Sequence, residues 1–268
     1  MPHPQDAAAL PRPTEAELTV RLRAAGCVFA EDEARLLAGS GAAADALAGM
    51  VDQRIAGIPL EHILGWVDFC GLRLAVGPGV FVPRQRSAFL VECAAGLTAP
   101  GATVLDLCCG CGALGVALAH RVADLRLHAS DISGAAVDLA RRNLAALDVG
   151  LYTGDLFDPL PVALRGRIEM LLCNTPYVPT ARVASLPPEA REHEPLISLD
   201  GGWDGLELQR RVARRAPEWL APGGHVLFEV GEDQEQDCLR LLRDAGLRAS
   251  SRSRGDIGAT VVIGTAEG

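Results

Sequence analysis

Apolar positions along the chain change their period twice. Up to about residue 65 they recur at helical spacing. Leu18 and Leu22 follow a Thr14/Glu17 capping-box pattern, "AEDEARLLAG" opens with acidic residues, and "AAADALAGMVDQRIAG" repeats apolar side chains at Leu47, Met50, Val51 and Ile55. This predicts a small helical unit over 1–65, either a domain in its own right or an N-terminal extension packed on the main sheet. Over 66–86 the stretch "WVDFCGLRLAVGPGVFVPR" is β-rich and is punctuated by Gly71 and by Gly77-Pro78-Gly79, so a β-hairpin linker is expected there.

From 87 to 268 short apolar runs alternate with helical segments. Strands are expected at 103–107, 126–130, 150–153, 169–173, 225–230, 247–252 and 260–264, and helices in "GALGVALAHRV", "GAAVDLARRNLAAL", "GLELQRRVARRAPEWL" and "DQEQDCLRLLRDAG". Strands that alternate with helices predict an α/β fold with a mainly parallel, seven-stranded sheet covered on both faces. The fourth run, Met170-Leu171-Leu172-Cys173, stops at Asn174-Thr175-Pro176-Tyr177. Prolines at 176 and 179 bar its continuation as a ladder, which sets these four residues at a strand's carboxyl end, where open α/β sheets bind ligands. The same residues also read as plain turn punctuation.

Composition narrows the class. Hydrophobic residues make up 49% of the 268 and charged residues 22%, which suits a packed globular chain, and no apolar run approaches the roughly 18 residues of a membrane span. The start "MPHPQDAAALPRPTEAEL" has neither a basic n-region nor an apolar h-region, so no signal peptide and a cytoplasmic location are expected. Eight cysteines without a paired CxxC spacing read as reduced thiols, and the tight cluster Cys108, Cys109, Cys111 is poorly shaped to enclose one ion tetrahedrally, so no metal is expected. The net charge of −9 gives no general attraction to nucleic acid. Over the helical unit the acids Asp6, Glu15, Glu17, Glu31, Asp32, Glu33, Asp45, Asp52 and Glu61 outnumber Arg12, Arg21, Arg23, Arg35 and Arg54, an arrangement that repels phosphate.

The candidate chemistry sits at strand ends. In "VLDLCCGCGALG" an apolar strand leads through Asp106 to a loop with Gly110 and Gly112 and then to a helix, which lets backbone approach a ligand closely. Asp131 stands nineteen residues beyond Gly112, at the end of the second strand, where a carboxylate can accept bonds from two ribose hydroxyls. Asp155 and Leu156 in "TGDLF" come after the third strand, a place for an adenine contact. Cys108 stands where G-x-G-x-x-G would have its first glycine, which weakens a dinucleotide reading. The spacing D-x-x-x-G-x-G, with an acid at the next strand's end, matches the S-adenosylmethionine pattern instead.

With those residues in place the chain resembles the HemK-type protein methyltransferases, which methylate a glutamine side-chain amide in release factors or in a ribosomal protein. The resemblance runs through "FVPRQRSAFLVE", "VLDLCCGCGALG", "SDIS", "GDLF", "CNTPY", "HEPLISLDGGWDGLELQRRV" and "LAPGGHVLFEVGEDQ", nearly the whole length. Where that family carries Asn-Pro-Pro-Tyr this chain has Asn-Thr-Pro-Tyr, which is similar to a subgroup whose protein substrate is not established. The resemblance implies a Rossmann-like class I methyltransferase fold, S-adenosylmethionine as cofactor, and a protein substrate with an exposed glutamine, a translation factor or ribosomal protein. It implies that Cys108, Cys109, Gly110, Cys111 and Gly112 hold the methionine part of the cofactor, that Asp131 with Ile132 takes the ribose, that Leu156 lies against adenine, and that Asn174 to Tyr177 bind the amide beside the cofactor. The helical unit becomes a substrate-recognition domain.

The chemistry wants such residues. An amide nitrogen is a poor nucleophile because its lone pair is delocalised, so a site must localise and aim it. An Asn174 side-chain oxygen and a Thr175 carbonyl that accept the two amide hydrogens leave the third direction of nitrogen free. Glu194 is expected to order the loop over this site, Arg84 and Glu92 to shape its mouth or to pair hairpin with helix, and Glu229 and Asp233 to stand as strand-end polar residues. His62, His120, His128 and His225 share no spacing, so packing or surface roles are expected of them. Other readings stay open on sequence alone: methylation of an exocyclic base amine, methylation of a small-molecule amide or amine, and a catalytically idle binding module.

Overall fold

A computed structural model of the protein describes residues 12–268. Asp6 and the start of the chain, on which the expected absence of a leader rests, lie outside the described residues. Three helices, α1 (Glu15–Ala24), α2 (Ala30–Ala38) and α3 (Ala44–Ile55), and a short α4 (Leu60–Leu64) form the helical unit. The capping box at its start is present: the Glu17 N–H donates to Thr14 Oγ1 while Glu17 Oε2 accepts the Thr14 N–H at 2.8 Å. Leu18, Leu22, Leu37, Leu47 and Val51 close a core of their own. The acidic start of α2 holds a surprise at Glu33, whose buried carboxylate pairs with Arg54 of α3 at 2.7 Å.

The hairpin β1 (Trp66–Phe69) and β2 (Leu72–Ala75) comes next. It is no loose linker. Val67, Phe69, Leu74 and Val76 join the same hydrophobic cluster as Leu90, Val104 and Leu127 of the main body. The side chain of Asn143 fastens it further, accepting from the Ala75 N–H at 2.7 Å and donating to the Ala75 carbonyl at 2.9 Å.

The main body runs α5 (Ala88–Ala95), β3 (Thr103–Leu107), α6 (Ala113–Ala119), β4 (Arg126–Asp131), α7 (Gly134–Asn143), β5 (Val149–Thr153), β6 (Ile168–Cys173), α8 (Thr180–Val183), α9 (Pro188–His193), α10 (Glu207–Trp219), β7 (Leu220–Val230), α11 (Glu235–Asp244), β8 (Arg248–Arg254) and β9 (Ala259–Thr265). The seven strands lie in the order β5-β4-β3-β6-β7-β9-β8. The first five are parallel, and β9 runs antiparallel to both β7 and β8. Alternation along β3 divides the core: Val104 faces the cluster under α5, α6 and α7, while Leu105 and Leu107 face the one under α10 and α11. Each such fully buried leucine contributes about 1.5–3 kcal/mol. The β7 strand begins at Leu220, earlier than the expected 225, because Leu220 pairs with Ile168 before an irregularity over Ala221-Pro222-Gly223-Gly224 restores register at His225. Among the described residues no helix is long and apolar enough to cross a membrane.

Candidate active site

The strand order reverses direction beside β3, and the carboxyl ends of β3, β4, β5 and β6 open on one cleft of about 1310 Å³. Of the residues singled out in the sequence, Cys108 to Cys111, Asp131, Ile132, Asp155, Leu156 and Asn174 to Tyr177 line it. Asp106 and Gly112 do not. Asp106 is fully buried and its Oδ2 accepts the Gly115 N–H of α6 at 2.8 Å, so it braces the turn from strand to helix. Burial pushes its carboxyl up to about 8, against the lowering effect of the Gly115 N–H and with a further upward push from Asp131. Gly112 opens α6 at φ +80, and a Cβ there would meet Leu144 Cδ1 at 3.0 Å and Ala140 Cβ at 3.2 Å, so it lets α6 close on α7.

The loop after β3 turns tightly by taking left-handed conformations at Cys108 (φ +59) and Gly110 (φ +55). A cysteine holds at 108 a backbone conformation that costs a non-glycine residue roughly 1–2 kcal/mol. The loop is held from behind: the Gly110 N–H donates to Asp131 Oδ2 at 2.9 Å, the Cys109 N–H to the Ser130 carbonyl at 3.0 Å, and Asn143 Nδ2 to the Cys111 carbonyl at 2.8 Å. Burial pushes the Cys111 thiol up to about 12 and raises that of Cys109 as well, which keeps both thiols neutral. Asp131 Oδ1 accepts the Ser133 N–H at 2.9 Å, so each carboxylate oxygen carries one backbone bond and keeps capacity for another toward the cleft. Burial raises the Asp131 carboxyl, and the Ser133 and Gly110 N–H groups oppose that. Such a carboxylate suits vicinal hydroxyls, with the exposed Ile132 side chain beside it. The Asp155 carboxylate is drawn to Arg211 at 2.6 Å, and Leu156 is buried at φ +48.

At the end of β6, Asn174 Nδ2 donates to the Ser87 hydroxyl at 3.2 Å. With the amide nitrogen turned to Ser87, Oδ1 is left as the acceptor of a residue that lines the cleft. The side chain of Thr175 turns inward, 1% exposed, and its hydroxyl finds no partner in the protein. Tyr177 is fixed by two residues from distant elements. Its hydroxyl donates to Glu229 Oε1 of β7 at 2.9 Å and accepts from the Arg86 guanidinium, which also pairs with Glu229 at 3.2 Å. Burial pushes the Tyr177 phenol well up, and the Glu229 charge pushes it further, so the hydroxyl keeps its proton.

A roof over the cleft is built by the chain after Tyr177. Glu194 ties it down, its buried carboxylate accepting the Val82 N–H at 3.1 Å and pairing with Arg84. Arg84 therefore pairs with the roof and not with Glu92, which forms a surface pair with Arg254 away from the cleft. Asp233 pairs with Arg182 of α8, His62 bonds the Val80 carbonyl, His128 meets Tyr152, and His225 meets Thr265. Sequence reasoning missed Ser87, Arg86 and Asn143. Ser87 lies 87 residues from Asn174, Arg86 lies 91 from Tyr177, and no spacing rule spans such distances.

Residues 72–185 match the family model described as the methyltransferase small domain. The release factor glutamine methyltransferase of Geobacter sulfurreducens is 38% identical over 200 residues, covering 74% of this chain and 69% of that protein. The protein of the same description from Moorella thermoacetica is 38% identical over 203 residues, 73% of this chain and 70% of that one. Among solved structures, a methyltransferase from Pyrococcus furiosus superposes with a TM-score of 0.56 at 15% identity, covering 74% of this chain and 90% of that chain, a likeness of fold.

Proposed function

The chain belongs to the release factor glutamine methyltransferase family, and we propose that its own substrate is a release factor, whose glutamine-bearing loop enters the cleft from the side of the roof. As a member of that family the protein is an S-adenosylmethionine-dependent methyltransferase that modifies a glutamine side chain of a protein at its amide nitrogen. The observation that carries the reading of the site is the Asn174 amide, turned by Ser87 so that an oxygen acceptor stands in the cleft at the carboxyl end of β6.

Asp131, with Ile132 beside it, would hold the ribose of the cofactor, Cys108 to Cys111 its methionine part, and Leu156 would lie against its adenine. When bound, the cofactor supplies a sulfonium-activated methyl group. Asn174 Oδ1 and the Thr175 carbonyl accept the two hydrogens of the glutamine amide, which draws the nitrogen lone pair out of conjugation and aims it. Pro176 holds Thr175 in an extended conformation so that its carbonyl keeps that direction. Tyr177 walls the amide, with Arg86 and Glu229 holding its hydroxyl. No general base is required, because the nitrogen sheds its proton to solvent after the methyl group has moved. Threonine in place of proline at 175 marks the subgroup of this chain and leaves the carbonyl's role intact.

The helical unit over 1–65 recruits the substrate protein, and its excess of acids favours a protein partner over nucleic acid. It reaches the roof directly through Arg54, which pairs with Glu189 of α9 at 3.0 Å. The test is incubation with methyl-labelled S-adenosylmethionine and a purified bacterial release factor, followed by peptide mass spectrometry. The reading requires one methyl group on a glutamine. Label that enters RNA, or a release factor that stays unlabelled, overturns it.

A further inference from the structure

The cleft of about 1310 Å³ is larger than the roughly 300–1,000 Å³ of a site for one small ligand, and its outer part is built by the chain beyond Tyr177. Within that part the loop 200–206 is pinned on several sides. The Gly201 N–H donates to the Val178 carbonyl at 2.8 Å, the Gly202 carbonyl accepts the Thr180 N–H at 2.8 Å, and Gln234 Nε2 donates to the carbonyls of Tyr177 at 2.8 Å and Asp204 at 3.0 Å. The loop is also pressed against the Asn174–Tyr177 motif. A Cβ on Gly201 would stand 2.7 Å from the Pro176 carbonyl oxygen, and one on Gly205 would overlap that of Tyr177. The backbone of this loop is therefore set in position relative to Asn174–Tyr177.

On that mount the chain places Trp203, 77% exposed and lining the cleft, and Leu196 at 59% and Ile197 at 57% line the same cleft. Trp219, by contrast, is buried against Phe157, and Trp66 is covered by Arg73. A bare indole on a loop whose backbone is so held offers a partner large apolar contact. The charges at the mouth say what kind. Each arginine that lines the cleft already has a carboxylate: Arg84 has Glu194, Arg86 has Glu229 and Arg211 has Asp155. An acidic flank would meet no unpaired arginine among the residues that line the cleft.

The geometry points to Trp203, with Leu196 and Ile197, as the surface that grips the substrate chain beside its target glutamine, and to uncharged, apolar residues in that part of the substrate. This rests on the reading of the protein as a methyltransferase of a release-factor glutamine. Trp203 decides specificity and touches no reacting atom, so its loss should appear in KM and not in kcat. The probe is a tryptophan-free peptide that copies the glutamine-bearing loop of a bacterial release factor, with the whole release factor as a second substrate. Trp203→Ala should raise KM about tenfold or more, with kcat at saturation and cofactor Kd unchanged, and Trp203→Phe should restore most of the loss. The peptide should shift wild-type tryptophan emission to the blue and leave that of Trp203→Phe unmoved. A KM unchanged in Trp203→Ala, with the wild type methylating both substrates, overturns this inference alone. A wild type that methylates neither overturns the functional reading and this inference with it.

Discussion

Replacing Glu229 by alanine removes the acceptor that holds Tyr177. The wild-type carboxylate is 2% exposed, and one of its oxygens takes both the Tyr177 hydroxyl at 2.9 Å and the Arg86 guanidinium at 3.2 Å, while the other has no partner in the protein. Breaking a fully buried pair costs about 3–5 kcal/mol because a charge is left stranded. Arg86 is not stranded in that sense, since its side chain is 44% exposed and water can reach it. The unpartnered oxygen, itself unfavourable, also disappears. Both corrections bring the expected loss down to about 2 kcal/mol, and for a chain of this length that lowers Tm by roughly 4–8 °C. Glu229→Gln keeps an acceptor for the phenol and should cost about half as much. With its hydroxyl loosened, Tyr177 would lose its proposed place against the amide, so the single-turnover rate should fall about tenfold in Glu229→Ala while cofactor affinity stays level. A double-mutant cycle with Tyr177→Phe, read by thermal denaturation and by rate, should give a coupling of about 1 kcal/mol. Strict additivity together with an undiminished rate would refute the claim that Glu229 acts through Tyr177.

Two further outcomes concern buried polar groups. Thr175→Val replaces a hydroxyl that has no partner by a methyl of nearly the same shape, and should stabilise the fold by about 1 kcal/mol, a gain of roughly 2–4 °C in Tm, with turnover kept because the carbonyl at 175 is backbone; a lower Tm would show that the hydroxyl is satisfied. Asp106 titrates about 8 when folded and near its ordinary 3.8 when unfolded. Between those values the unfolded chain releases a proton that the folded one keeps, so this group's contribution to stability is lost as pH rises. Asp106→Asn does not titrate and keeps an acceptor for the Gly115 N–H, so its stability relative to wild type should climb from pH 4 to 8, by at most about 1.4 kcal/mol per unit, in chemical denaturation. A flat difference would place the Asp106 carboxyl back in its ordinary range.

Much of the fold was legible in the order of residues. Short apolar runs located the central strands, because Val104, Leu105 and Leu107 of β3 and Met170 to Cys173 of β6 are buried inside the sheet. The start of β7 was not legible, since Pro222-Gly223-Gly224 reads as a turn and only the pairing of Leu220 with Ile168 makes it strand. At the site, residues that face the cleft and residues that support the backbone share one motif. Asp106 and Gly112 belong to the same run as Cys108 and Gly110, yet the strand's alternation turns Asp106 away from the cleft and the approach of α7 claims Gly112. The partners of the motif, Ser87 for Asn174 and Arg86 and Glu229 for Tyr177, come from other elements. Trp203 drew no notice in the sequence, because the exposure that distinguishes it from Trp66 and Trp219 is a property of the fold.

The role proposed for Asn174 is to accept from the glutamine amide and aim its nitrogen. Single-turnover methyl transfer by Asn174→Ala, with saturating S-adenosylmethionine and a bacterial release factor, tests it most directly. The rate should fall by about 10²-fold or more while cofactor affinity stays nearly unchanged, the scale of losing one positioned hydrogen-bonding group. Transfer at the wild-type rate would mean that "CNTPY" is only a turn.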